Sequence, residues 1–339
     1  MDMNTVSYLT ILVAGLLMAA WLFHENLACA REKRSLAWLT LLFGTGLGWL
    51  LAKGVYVVSR AKEVFTLYGF EALLRLNPEE FSFVGGCAGF VAGCVLASLI
   101  LRVKIRRGLD LMAAPLALGV AFARVAESFL GQLGLGEDLT DVEWTHFFPM
   151  TTETRYSEWY SEWSLSVNLQ LALLALVCVM LAVHWLRTCG DVPGVCFERT
   201  VVMLCAPLFI LELMRSVSMT ILVRVHLEQI LVMLAMSVCI ILAAVRGRRS
   251  WAGILIPAIL LLLIIGLNIV LQFGIDGKLN PFLEKLPFSE EALDWILWEH
   301  RADWCYPGMI LTDIGMVVME LVLTRRQMRK TRRALQAGG

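Results

Sequence analysis

The chain has 339 residues, 58% of them hydrophobic, with a mean hydropathy of +0.72. A soluble domain of this size would sit near half apolar. Its 29 Lys and Arg balance 29 Asp and Glu, so total charge points to no partner class, and nucleic acid is not expected as one.

The arrangement of the apolar residues is more informative. They form nine blocks: 5–23, 36–58, 83–101, 109–133, 165–186, 198–222, 229–245, 251–273 and 306–323. Blocks of about 18–25 residues are long enough to cross a hydrocarbon core of roughly 30 Å as helices. Continuous rather than alternating blocks exclude a β-barrel. The expected class is an all-α polytopic membrane protein.

From the N-terminus, the first block lacks a basic leader and an A-x-A site, so it is expected to remain as an anchor. The basic run "REKR" (31–34) follows it. The second block holds Gly44, Gly46 and Gly48 and, deeper in, Lys53. The outer segment 60–80 ends in "NPEE", and "FSFVGG" (81–86) then opens the third block. There Gly85, Gly89 and Gly93 recur every four residues, a small-xxx-small face suited to close helix contact. "RVKIRR" (102–107) precedes the fourth block, which opens with Asp110 and contains Arg124 and Glu127.

Segment 134–163 is acidic and rich in Trp and Tyr, and Arg187 follows the fifth block. The sixth block contains Glu212 and Arg215, and "RGRR" (246–249) follows the seventh. Segment 275–304 carries Trp295, Trp298, Trp304 and further acidic residues. The ninth block contains Asp313 and Glu320 and runs into "RRQMRKTRR" (325–333). Basic clusters on alternate loops give one consistent topology, N-terminus outside and C-terminus cytoplasmic. The Trp-rich outer segments are expected at the headgroup level as an interfacial belt. Nine scattered cysteines form no C-x-x-C, so no metal or disulfide is expected.

A charge in mid-membrane costs about 2.5–3.5 kcal/mol on insertion scales. Such side chains therefore face the bundle interior or a polar cavity. Arg124/Glu127 and Glu212/Arg215 are each spaced i, i+3, on one helix face. The plain reading is that each pair neutralises itself for insertion. Their clustering favours a cavity for an anionic headgroup or chemistry at a phosphate ester, since guanidinium binds phosphate bidentately. Asp313 and Glu320 lie two turns apart and motivate a third option, a transporter. The sequence lacks the paired interrupted helices common in such folds.

These residues resemble the bacterial prolipoprotein diacylglyceryl transferase family. "FVGG", "LDLMAAP" and "ARVAESFLGQL" are similar to its F-H-G-G, D-x-x-A-P and G-R-x-x-N…G-E-L patterns, ungapped from Val84 to Arg124. Tyr8 and Gly15, "LLAKGVYVV" with Lys53, "ELMRS" with Glu212 and Arg215, and "LEQILVMLAM" with Gln229 follow in order over residues 5–246.

The resemblance implies a seven-helix membrane domain (1–249) with two additional helices (250–339), in a bacterial plasma membrane. It implies transfer of diacylglyceryl from a phosphatidylglycerol-like lipid to the thiol of a lipobox segment, with no cofactor. Arg124, Glu127 and Tyr8 become candidate catalytic residues. Gly85, Gly86, Gln132, Lys53, Glu212, Arg215 and Gln229 become candidate substrate-binding residues. Departures fall at reactive positions: Val84 stands for the family histidine, Glu127 for an asparagine, Gln132 for a glutamate, Leu208 for an arginine and Leu204 for a tyrosine. A catalytically degenerate lipid-binding protein or scaffold on the same fold is the alternative.

Overall fold

The computed structural model describes residues 3–61, 64, 71, 80–130, 135–155, 161–189, 192–215, 220–222, 225–247, 251–275 and 301–337. Among the described residues, nine long helices account for the apolar blocks: α1 (Met3–Cys29), α2 (Ser35–Ser59), α3 (Phe83–Leu101), α4 (Ile105–Glu127), α5 (Val167–Cys189), α6 (Val195–Leu213), α7 (Leu227–Gly247), α8 (Ala252–Ile275) and α9 (Arg301–Ala337). Eight of them are long and apolar enough to cross a membrane. Large apolar side chains such as Trp21, Leu42, Met180 and Leu262 cover the outside of the bundle. This is a polytopic α-helical membrane protein.

The exception is α6. The sequence predicts one apolar span over 198–222, but the helix ends at Leu213, and a short strand, β3 (Thr220–Leu222), follows. Glu198, Arg199 and Glu212 lie within α6, and all three are buried. Its 19 residues still carry it across the bundle, about 28 Å at 1.5 Å per residue. Neighbouring helices, not lipid, surround its charges.

The centre of the bundle is α4, which packs on α1, α3, α5 and α6. Small residues (Gly108, Ala113, Ala114, Ala117, Ala121) fill its buried face. The tightest pair is α2 with α3, and the glycine repeat explains it. A Cβ on Gly93 would lie 2.5 Å from Gly44 N, one on Gly85 2.9 Å from Ala52 Cα, and one on Gly89 would strike the Gly48 backbone. At the C-terminal side, α9 lies against α6, α7 and α8.

The loop chemistry separates the two ends of the bundle. At the basic end Lys33 Nζ donates to Leu101 O at 2.7 Å, and Arg246 pairs with Glu198. Asp110 caps α6 there, its two oxygens accepting from Gly194 N at 2.6 Å and Phe197 N at 2.9 Å. Gly194 has φ +96°, a conformation that disfavours any side chain.

At the other end, in the acidic segment, β1 (Thr151–Arg155) pairs with β2 (Ser161–Leu165) as an antiparallel hairpin. Cross-strand pairing gives this acidic segment a fold of its own. A bridge from Gly136 to Arg215 ties the hairpin to the end of α6. Most of segment 60–80, and 275–304 apart from its ends, lie outside the described residues.

Gly89→Val is expected to destabilise the fold by about 1–3 kcal/mol, because backbone rather than a movable side chain occupies the space. Thermal unfolding in detergent measures it; an unchanged midpoint would contradict the α2–α3 contact.

Candidate functional site

The buried charges meet where five helix ends converge, at the end of the bundle carrying the hairpin. Arg124 and Glu127 occupy the last turn of α4, and Asn168 the first turn of α5. Glu212 sits in the last turn of α6, with Arg215 just beyond it. Glu228 opens α7, and Ser82 caps α3 by accepting from Gly85 N at 3.1 Å.

Both i, i+3 pairs form, and they join into one network. Arg124 Nη1 donates to Glu127 Oε2 at 2.6 Å, and Arg215 Nη2 donates to the same oxygen at 3.2 Å. Arg215 Nη1 also donates to Glu212 Oε2 at 3.2 Å. Asn168 Oδ1 accepts from both guanidiniums, at 3.5 and 3.3 Å. Arg124 Nη2 lies 3.8 Å from Glu228 Oε2. The other Glu228 oxygen accepts from Phe83 N at 2.6 Å and Ser82 Oγ at 3.2 Å. The Phe83 ring lies 3.6 Å from the Arg124 guanidinium carbon, a cation–π contact. Two cations and three carboxylates thus share one site.

Arg124 is fully buried. Among the described residues, its Nε and Nη2, Asn168 Nδ2 and Glu228 Oε2 are buried without a hydrogen-bond partner. Buried polar atoms nearly always find partners, so these four mark room for another polar group.

A cavity of about 870 Å³ begins at this network. Glu127, Glu212, Arg215 and Glu228 line its polar end, and Tyr8 and Gly86 join its wall. It continues between α1, α2, α3 and α4, past Leu12 and Leu16, as far as Phe23 and Met112. Its shape is that of an ionic head on a long apolar body.

The remaining sequence candidates lie elsewhere. Lys53 is buried and pairs with Glu80, which does line the cavity. Gly85 is pressed against the α2 backbone. Gln229 joins helices instead, its Oε1 accepting from Gln272 Nε2 at 3.0 Å and its Nε2 donating to Phe209 O at 3.2 Å. Arg124 stands behind the cavity wall rather than in it. Gln132 lies outside the described residues. Asp313 and Glu320 are buried on α9, away from this network.

Sequence reading missed Glu228, Asn168 and Phe83. Glu228 immediately precedes the block 229–245 and Asn168 lies near the start of 165–186, positions where a polar residue reads as a helix start. Val84 packs against the apolar cluster that includes Leu208 and, from α9, Met309 and Met316.

Two groups outside the spans have shifted acidities. Thr140 donates from its hydroxyl and its N–H to Asp138, lowering that carboxyl below its ordinary value. Burial, with Arg215 nearby, holds His226 below 6.5. The folded protein therefore resists protonation of His226, and its contribution to stability is present above that ordinary value and is lost as pH falls through and below it. Wild type should lose thermal stability between pH 7 and pH 5, and His226→Gln should lose less. Equal losses would assign the effect to other groups.

The shared Glu127 oxygen predicts energetic coupling. In a double-mutant cycle of Glu127→Gln and Arg215→Gln, the coupling should be about 1–3 kcal/mol, read from unfolding in detergent. Additive effects would show that the 3.2 Å contact carries no energy.

The family model for prolipoprotein diacylglyceryl transferase matches residues 2–245. No individual curated protein matches the chain significantly. The matched stretch runs from α1 through nearly all of α7, covers most of the chain and includes every residue of the ionic network. The chain belongs to the prolipoprotein diacylglyceryl transferase family, a family of membrane-embedded transferases.

Proposed function

We propose that this protein binds an anionic glycerophospholipid of the phosphatidylglycerol type and transfers its diacylglyceryl group to a thiol, as on a lipobox segment of a prolipoprotein. The carrying observation is the cavity itself. Its apolar length suits acyl chains, and its ionic end suits a phosphate headgroup. Family membership supplies the reaction class, and a bacterial plasma membrane is the setting it implies.

In this reading the thiolate attacks the glyceryl carbon that bears the phosphate. A C–S bond forms, the C–O bond breaks, and glycerol phosphate leaves with the electron pair. Arg215 holds the phosphate at the cavity wall. Arg124, stacked on Phe83, adds positive potential from behind the cavity wall. Preorganised donors in a dry site stabilise the developing charge. Glu127 and Glu212 orient the guanidiniums, and Tyr8 offers a hydroxyl beside the headgroup. The thiol proton needs an acceptor, and Glu127, His226 and Glu228 are the candidates beside the network.

A second reading, lipid binding without turnover, is favoured by Val84 and Leu208. Both pack in an apolar cluster where the family pattern carries a histidine and an arginine.

One experiment separates the two. Membranes containing the protein are given labelled phosphatidylglycerol and a lipobox peptide. Transfer is expected, and Arg215→Ala should reduce it about a hundredfold. If no thioether forms but phosphatidylglycerol co-purifies with wild type and not with Arg215→Ala, the second reading stands. Val84→His then tests whether a restored imidazole brings activity back. Protein with neither transfer nor bound lipid would defeat both.

A further inference from the structure

A second cavity, of about 330 Å³, opens at the basic end between α5 and α9. That lies at the lower end of the size range of ligand pockets, ~300–1,000 Å³. Its lining is cationic: Arg199 from α6, Arg325 and Arg329 from α9, with His184, Trp185 and Thr188 from α5. No acidic residue lines it among the described residues. It lies at the opposite ends of α5 and α6 from Asn168 and Glu212, so it is separate from the lipid cavity.

Arg199 forms the floor and is only 5% exposed. Its Nε donates to Thr324 Oγ1 at 2.9 Å, and its Nη1 lies 3.5 Å from Cys189 Sγ. The Trp185 ring is 5.8 Å from its guanidinium carbon. Its Nη2 is buried with no hydrogen-bond partner among the described residues. A buried cation is normally balanced by a carboxylate or another anion. Here a hydroxyl, a sulfur and a ring fix the guanidinium and leave one edge unused. Glu320, one turn before Thr324, is buried and its charge acts on Arg199, but among the described residues neither of its oxygens makes a hydrogen bond, so the Arg199 Nη2 edge stays open.

Arg325 and Arg329 stand at the mouth, exposed and four residues apart on one face of α9. Like charges at that spacing repel. A bound anion would relieve that repulsion and occupy the open Arg199 edge at the same time. Three guanidiniums on a small polar cavity suit the oxygens of a phosphate group, which arginine holds through paired N–H donors.

We propose that Arg199, Arg325 and Arg329 form a phosphate-binding site at the basic end of the bundle. Its ligand is a phosphate group, either on a small soluble molecule or in the headgroup of an anionic lipid in the adjacent leaflet. The site depends on α9, which lies beyond the residues that match the family model. It draws nothing from the transfer reaction proposed above.

The test uses the full chain in nanodiscs. Inorganic phosphate is titrated calorimetrically into protein in phosphatidylcholine discs. In parallel, native mass spectrometry counts the phosphatidic acid retained from mixed discs. Saturable phosphate binding, weakened about tenfold or more in Arg325→Gln/Arg329→Gln, supports a soluble ligand. Retained phosphatidic acid that the double variant loses, without phosphate binding, supports the headgroup. Because both substituted residues are exposed, the double variant should keep the wild-type thermal midpoint in phosphate-free buffer. Arg199→Gln should act in the same direction. Absence of saturable binding in both arms, or equal binding by wild type and the double variant, would overturn the proposal.

Discussion

One carboxylate oxygen organises the candidate functional end of this protein. Glu127 Oε2 accepts from both Arg124 and Arg215, and so ties α4 to the chain beyond α6. Ions removed from water are tolerated only when they are paired and hydrogen-bonded. The bundle therefore gathers its charges into a single network. Asn168, Glu212 and Glu228 are drawn in for the same reason, each from a different helix end. Because every member lies at an end, the network also fixes how five helices sit against one another.

Helices α1 to α4 line an apolar space that opens from the network. The glycine contact between α2 and α3 holds one wall at minimal distance. The hairpin, bridged to Arg215 through Gly136, holds the polar end. Apolar walls under an ionic head are what a two-tailed lipid requires. The basic end repeats the principle with less balance: Arg199 is hydrogen-bonded to neutral groups with Glu320 nearby, and α9 adds two more arginines beside it.

Apolar blocks, loop charges and the i, i+3 pairs are local signals, and they were legible directly. So was the glycine repeat, because four-residue spacing alone sets one face of a helix. The end of α6 was not legible. Residues 214–222 remain apolar enough to extend a span, and the bridge between Gly136 and Arg215 just past the helix end joins segments far apart in the chain. Glu228 and Asn168 were hidden because a polar residue beside or near the start of an apolar block usually marks nothing more than a boundary. Lys53 carries no local sign that its ion-pair partner is Glu80, 27 residues away.

By itself, the sequence determined a polytopic helical bundle with charge-sorted ends, since hydrophobic length and loop charge act along the chain without reference to other segments. It also determined family membership, because the motif order survives even where reactive side chains are replaced. Only the tertiary structure decided which charges share a site, that Arg215 lines the cavity while Arg124 stands behind it, and that Val84 packs among apolar neighbours. Those outcomes depend on which helix ends meet, and buried charges select that meeting across distances that no local pattern records.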